Sequence, residues 1–369
     1  MTSEQQFLRV LGFALSGQGS FLADVESLDW DQLLIEARKH ALVGVLFSCF
    51  SSLPQSLAPD RITLMRWGGL AANVRLCNQK ADQAVSSTVT HFAQLGFSGL
   101  VLKGQGLAQY YPDPTLRTSG DVDYWAYRSA SNPGLFSVRR FVRLARQHNA
   151  RLRELTYHHI DYGQIDGVDV ELHWRPSWFY CPRYNRRFLR FCFSQIPEAE
   201  SAGSMPVPTD LFNEVFLLVH IYRHLFYEGI GLKQVVDYYY FRLHSSCTSV
   251  ADVSEVQTQL RRLGMLRFAA GMMHILKHQF GLPAQRLICQ PDAESGQLLL
   301  DAILEAGNMG RYDAKNTSRT KASRLPGALH RLTRNLAYFR FGPLEVLFSP
   351  FWRLWHLFVD PILLHLFTI

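Results

Sequence analysis

Between Gly120 and Trp125 the chain reads Gly-Asp-Val-Asp-Tyr-Trp, and this alternation constrains the fold more than any other stretch. In an extended strand successive side chains point to opposite faces, so Asp121 and Asp123 share one face while Val122 and Tyr124 take the other. Two carboxylates held side by side repel each other. One of them takes up a proton unless a cation occupies the space between. Hard cations such as Mg²⁺ prefer carboxylate and phosphate oxygens, so the pair is a candidate metal site.

The surrounding sequence extends the site. From Val168 to Trp174 a second strand places Asp169, Glu171 and His173 on one face, and either acid can complete the pair. Upstream, a short apolar strand over residues 99–102 runs into Lys103-Gly104-Gln105-Gly106. Glycine permits close backbone approach and unusual dihedrals, and residues 105–110 can begin a helix whose first amides attract phosphate. Lys103 would neutralise such a phosphate. Ser119-Gly120, directly before Asp121, offers a second small turn. Three carboxylates, a cation and a glycine turn together suit nucleotidyl transfer.

These residues also carry a resemblance. Leu102-Lys103-Gly104-x-x-Leu107-Ala108, Tyr110-Tyr111-Pro112, Arg117, Gly120-Asp121-Val122-Asp123 and Glu171-Leu172-His173-Trp174-Arg175 resemble the uncharacterised bacterial nucleotidyltransferase family of the DNA polymerase beta superfamily. His220, His224 and Gly231 to Asp237 resemble its helical half, and Asp29-Trp30 with Leu33, Leu34, Ala37 and His40 resemble its first helix. The similarity runs over roughly residues 25 to 245. A more distant likeness is to nucleotidyltransferase toxins of abortive-infection systems.

The resemblance implies an α+β fold: a minimal nucleotidyltransferase mixed sheet with flanking helices, joined to a mainly helical C-terminal domain. It implies that Asp121, Asp123 and Glu171 hold two Mg²⁺ ions while an acceptor oxygen attacks the alpha phosphate of an NTP. Glu171 is favoured over Asp169 by the Glu-Leu-His-Trp match. Nucleotide binding falls to Lys103, Gly104, Gln105 and Gly106, with Ser119 and Gly120 as a second source of phosphate contacts. This chain departs from the superfamily's more usual Gly-Ser turn close ahead of the acids. Arg117, His173, His220, His224, Lys233 and Asp237 are expected to contact the acceptor or support the site.

Several of these have plainer readings. His220 and His224 lie one helical turn apart and face the same way, but the residues between lack the metalloprotease glutamate, so zinc is not indicated. A buried, hydrogen-bonded pair is the simpler account. Lys233 and Asp237 have the spacing of a helix salt bridge. Trp174 and Arg175 either line a base pocket or close the sheet against a helix.

The chain divides into an N-terminal helical scaffold (1–95), a catalytic core (96–180), a helical domain (181–310) and a basic segment with an aromatic helix (311–369). A long helix is expected over residues 61–95, and the Asp166-Gly167 dipeptide predicts a hairpin between residues 155–162 and 168–174. Residues 129–134 read as a loop and 135–148 as a basic helix. Six cysteines are scattered without a Cys-x-x-Cys, and residues 1–6 lack the basic, apolar start of a signal peptide, so a cytoplasmic protein is expected. Of the net charge of +7, much comes from residues 311–340, which carry Arg and Lys with almost no acid. Nucleic acid is a partner this segment would suit, but a solvated face suits it better. The C-terminal stretch is broken by Arg353, Asp360 and Pro361, so it is not expected to span a membrane. It would either lie in a membrane interface or pack on protein. Three functions remain open: transfer to a small sugar-like or polysaccharide-precursor acceptor, toxin-like transfer to RNA or protein, and noncatalytic nucleotide or polyanion binding.

Overall fold

The computed structural model describes residues 1–127, 138–149, 155–199, 205–227, 229–307 and 335–368. The alternating stretch at Asp121 forms a strand at the middle of one mixed sheet. Its strands are β1 (Ser98–Val101), β2 (Val122–Tyr127), β3 (His159–Ile165) and β4 (Val168–His173), in the order β1-β2-β4-β3. β2 runs antiparallel to β1 and parallel to β4. β3 and β4 form the expected hairpin, and Asp166 and Gly167 have φ of 51° and 77°, the left-handed pair that a type I′ turn needs.

Helices enclose this sheet, as expected for the α+β class. Ahead of it lie α1 (Ser3–Ser16), α2 (Trp30–Lys39), α3 (Val43–Ser48) and the long α4 (Arg61–Gln94). Thr2, Asp29 and Asp60 cap α1, α2 and α4 by accepting backbone N–H bonds at their first turns. Within the sheet region come the single turn α5 (Gln105–Ala108) and α6 (Val138–His148). After it follow α7 (Pro182–Ser194), α8 (Ile196–Ala199), α9 (Asp210–Tyr227), α10 (Leu232–His244), α11 (Val250–Arg262), α12 (Leu266–His278), α13 (Ala293–Ala306) and α14 (Pro343–Thr368).

The two faces of the sheet bury against different partners. Val122, Tyr124, Ile160, Tyr162, Val170 and Leu172 pack beneath the second half of α4 and the described part of α6, where Phe92 and Phe141 are fully buried. Each such ring stabilises the packing by about 2–3 kcal/mol. On the opposite face Leu100, Leu102, Trp125 and Tyr127 join a second core built from α1 to α3, α7 and α9 to α13. Trp125 stacks on Phe212 of α9 with ring centroids 5.7 Å apart. That face has an apolar half and a polar half. Asp123, Glu171 and His173 belong to the polar half.

Buried polar contacts fix the loop that leads into β2. Halfway along α4, Asn78 donates to the backbone carbonyls of Pro114 at 3.0 Å and Arg117 at 2.6 Å. The Arg117 guanidinium grips Asp237 of α10 in a two-pronged pair, at 2.7 and 2.8 Å, and the Tyr111 hydroxyl donates to the same carboxylate at 2.6 Å. The helix salt bridge expected between Lys233 and Asp237 gives way to this pair, because Arg117 reaches the carboxylate with fork geometry that an ammonium one turn away lacks.

α14 is tied back by a buried acid. Glu345 accepts the backbone N–H groups of Tyr180 and Cys181 at 2.7 and 2.8 Å, which caps the start of α7. The first part of α14 thus packs on protein, with Val346 and Ser349 buried, while Leu347, Phe351, Leu354 and Trp355 stay exposed. Among the described residues no helix is long and apolar enough to cross a membrane. The loop expected over residues 129–134 and most of the basic segment over residues 311–340 lie outside the described residues.

Arg117→Met should destabilise the protein by about 3–5 kcal/mol in urea unfolding, because it leaves the buried Asp237 carboxylate without its cation. Arg117→Lys should cost less, since the charge remains and only the fork is lost. Equal losses in the two variants would show that the charge is not what the pair contributes.

Candidate active site

Parallel pairing of β2 with β4 decides the site's geometry. It sets Asp123 opposite Glu171, and His173 two residues further along β4 on the same face. His173 Nε2 lies 3.0 Å from Asp123 Oδ1 and 3.3 Å from Glu171 Oε2. Lys103, on the turn after β1, brings its ammonium to 2.9 Å from the same Asp123 oxygen. From β3, His159 Nδ1 stands 3.4 Å from Glu171 Oε2. His158 follows in turn, with Nε2 at 3.2 Å from His159 Nδ1.

The charges follow from this crowding. Burial alone would raise the Asp123 carboxyl, but Lys103 and the hydrogen bond from His173 outweigh it and hold the group well below the usual range. Asp121 lines the same pocket and is exposed. Protein packed against its inner side and the charge of Asp123 raise its carboxyl. One acid of the pair is thus kept ionised and the other pushed towards protonation, as the alternation argument expects. Glu171 is raised to about 7 by burial and by the charges of Asp123 and Asp121, against the opposing bond to His173. His173 itself is raised: burial disfavours its charge, but bonds to Asp123 and Glu171 prevail. His158, His159 and His220 are all lowered, first by burial and then by neighbouring positive groups.

The donor set fits a divalent cation. Oxygens of Asp123 and Glu171 and a nitrogen of His173 all lie within 4.8 Å of one another. His158, His159 and His173 form a second such group. Asp121 lines the same cavity but stands outside the tightest set. Asp169, the other acid on this face of β4, accepts a bond from Gln164 at 3.0 Å and belongs to neither group.

All of this opens into one cavity of about 1320 Å³. Lys103, Gly104, Arg117, Ser119, Gly120, Lys233 and Asp237 line it, as do His220 and His224. Gln105 and Gly106 do not. Gln105 is buried and turns to Asn78 and Asp82 on α4, while the Gly106 amide closes on the Lys103 carbonyl at 2.9 Å. The helix expected over residues 105–110 is a single turn, so only Gly104, at φ 55°, presents the turn's backbone to the cavity. His220 and His224 are buried with their rings 4.3 Å apart edge to face, and Arg223 meets His224 Nε2 at 2.9 Å. Lys233 is half-buried, and its ammonium is lowered to about 8 by burial and by Arg117. Trp174 packs against Phe141 of α6, and Arg175 lies over the Tyr157 ring, so both close the sheet and leave the cavity to others.

Other lining residues were not expected. Tyr157, Trp178, Tyr227, Trp352 and the arginines Arg223 and Arg353 form the far wall. Trp178 and Trp352 stack with centroids 4.8 Å apart and planes 11° from parallel. His158 and His159 are adjacent histidines inside the first strand expected for the hairpin, where alternation hides their pairing. A strand over residues 155–162 would have put the two rings on opposite faces. Instead the Thr156 hydroxyl accepts the His158 and His159 amides, and the chain folds back there, turning both rings into the site. β3 starts only at His159 for the same reason.

Comparison with curated proteins and with solved structures gives no match. A family model described as uncharacterised nucleotidyltransferase matches residues 26–281. That span contains β1 to β4, the turn at Lys103, all three acids and α10, and it is well over half of the 369 residues. The chain therefore belongs to the uncharacterised nucleotidyltransferase family.

Proposed function

We propose that this chain moves a nucleoside monophosphate from an NTP to a small hydroxyl-bearing acceptor, with divalent metal ions held by Asp121, Asp123 and Glu171. The observation that carries this reading is the meeting of Asp123, Glu171 and His173 with Lys103 and Gly104 in one cavity of a nucleotidyltransferase-family chain. A bound pair of Mg²⁺ ions would neutralise phosphate oxygens and acidify the acceptor hydroxyl.

The chain's own residues do the positioning on which such transfers rely. Lys103 and Lys233 both line the cavity and would attract an anionic triphosphate, and Gly104 would let backbone approach it without a side chain in the way. Glu171 would accept the proton that the acceptor hydroxyl loses, which needs little basicity once a bound metal ion has acidified that hydroxyl. The acceptor oxygen forms its bond to the alpha phosphorus as the bond to the pyrophosphate oxygen breaks. The wall of Trp178, Trp352 and Tyr227 gives an acceptor ring an apolar face, which suits a sugar-like molecule.

Calorimetric titration of the four NTPs with Mg²⁺ tests the site. The Asp121→Asn, Asp123→Asn double variant should lose metal-dependent binding by about tenfold or more, while NTP affinity unchanged by both substitutions would refute the assignment. Asp121→Asn alone should leave unfolding free energy within about 0.5 kcal/mol, because the residue is exposed.

Lys233 adds a pH dependence. In the free protein its ammonium is charged below about 8 and neutral above. Bound triphosphate raises that value, so affinity should fall as pH rises from 8, by up to about tenfold for one unit of difference. Measured between pH 7 and 9.5, the fall should vanish in Lys233→Gln. A slope unchanged by that variant would place the titrating group elsewhere.

A further inference from the structure

The carboxylates of this site are accompanied by imidazoles at ligand distance. His173 Nε2 stands 3.0 Å from Asp123 Oδ1 and 3.3 Å from Glu171 Oε2, and His159 Nδ1 stands 3.4 Å from that Glu171 oxygen. Adjacent ligands of a six-coordinate ion with bonds of about 2.1 Å lie about 3 Å apart, so these separations suit ligands that share one ion. The nitrogen is central to the set. One atom of His173 reaches both acids, and a cation there would replace the proton that now links them.

The surroundings aim the imidazoles at the acids. The second nitrogen of the same ring, His173 Nδ1, is buried and has no hydrogen-bond partner among the described residues, so the ring's polar contacts all lie on the side of the acids. His158 Nε2 lies 3.2 Å from the same His159 Nδ1 that faces Glu171, which adds a third imidazole to the edge of the donor set, and Thr156 meets His158 Nδ1 at 3.1 Å and so orients that ring. Lys103, bonded to the same Asp123 oxygen, occupies the place of a positive charge. Its flexible stem allows it to move to a phosphate when a metal ion enters.

We infer that the metal centre of this chain is a mixed nitrogen and oxygen site, with His173 as a direct ligand and His159 beside it, and that it selects a first-row transition ion over Mg²⁺. The inference rests on the nucleotidyl-transfer reading for the presence of a metal, and departs from it in the ligands and the ion. Imidazole suits transition ions, while Mg²⁺ strongly favours an all-oxygen, near-octahedral shell and sheds its water reluctantly. Mn²⁺ accepts both donor types and supports the same displacement without redox chemistry.

The test uses the full chain loaded with Mn²⁺ and inorganic tripolyphosphate, a nitrogen-free stand-in for the nucleotide. Electron spin-echo envelope modulation should show ¹⁴N coupling from a bound imidazole, and the coupling should be lost in His173→Gln and weakened in His159→Gln. Calorimetry should give Mn²⁺ at least tenfold tighter than Mg²⁺, with the gap closing in His173→Gln. His274→Gln, on α12 and outside the cavity lining, should change neither result. Should His173→Gln fail to fold, the wild-type spectrum and the His159→Gln variant still decide. Bound Mn²⁺ without nitrogen coupling overturns the inference and leaves a carboxylate-only centre intact. No binding of either ion, with or without tripolyphosphate, removes both this inference and the reading on which it rests.

Discussion

An ionised carboxylate that is 3% exposed, as Asp123 is, has to be matched by positive charge, and much of the catalytic half of this protein follows from that need. An unpaired charge in that position would cost several kcal/mol. Two elements answer it from opposite sides. β4 lies parallel to β2 and presents His173, and the turn after β1 presents Lys103. A one-residue slip of β4 would turn Glu171 and His173 to the apolar face beneath α4, so register, charge balance and packing all require the same alignment.

The sheet alone does not hold the site in place. α4 runs from the first core to the second, and its buried Asn78 ties down both loops that flank the acids: it donates to the carbonyls of Pro114 and Arg117 and accepts from Gln105. Arg117 then fastens the segment before β2 to α10 through Asp237. Lys233 lies one turn before Asp237 on α10. The pair that braces the fold therefore also anchors the helix that carries Lys233 into the cavity lining.

What the sequence made legible is what depends on local rules. Alternation set Glu171 and His173 on one face of β4, the Asp166-Gly167 dipeptide gave the hairpin, and the apolar spacing over residues 61–95 gave α4, while Asp121 falls just ahead of β2 and outside the strand period. Misplaced residues are those whose side chains answer to distant partners. Gln105 was expected at the phosphates and turns instead to Asn78 and Asp82, because a buried amide goes where its hydrogen bonds can be met. Asp237 prefers an arginine 120 positions earlier to the lysine on its own helix. His158 was hidden by a side-chain turn at Thr156 that breaks the strand period. Trp352 and Arg353, from α14, line the cavity through tertiary packing alone, which no periodicity reveals.

The cavity sorts its walls by chemistry. Lys103, Gly104, Ser119, Gly120 and Lys233 offer positive charge and backbone, and Trp178, Tyr227 and Trp352 offer flat apolar faces together with Arg223 and Arg353. Its volume of about 1320 Å³ exceeds the range of roughly 300–1,000 Å³ usual for one small ligand. That volume leaves room for more than one small molecule beside the acids. The aromatic end is completed by α14, which Glu345 fastens to the start of α7 and which brings Trp352 against Trp178. α14 lies beyond the span matched by the family model. The aromatic part of the cavity is thus built from Trp178 and Tyr227 inside the matched span and Trp352 beyond it, while Lys103, Gly104 and the acids all lie within that span.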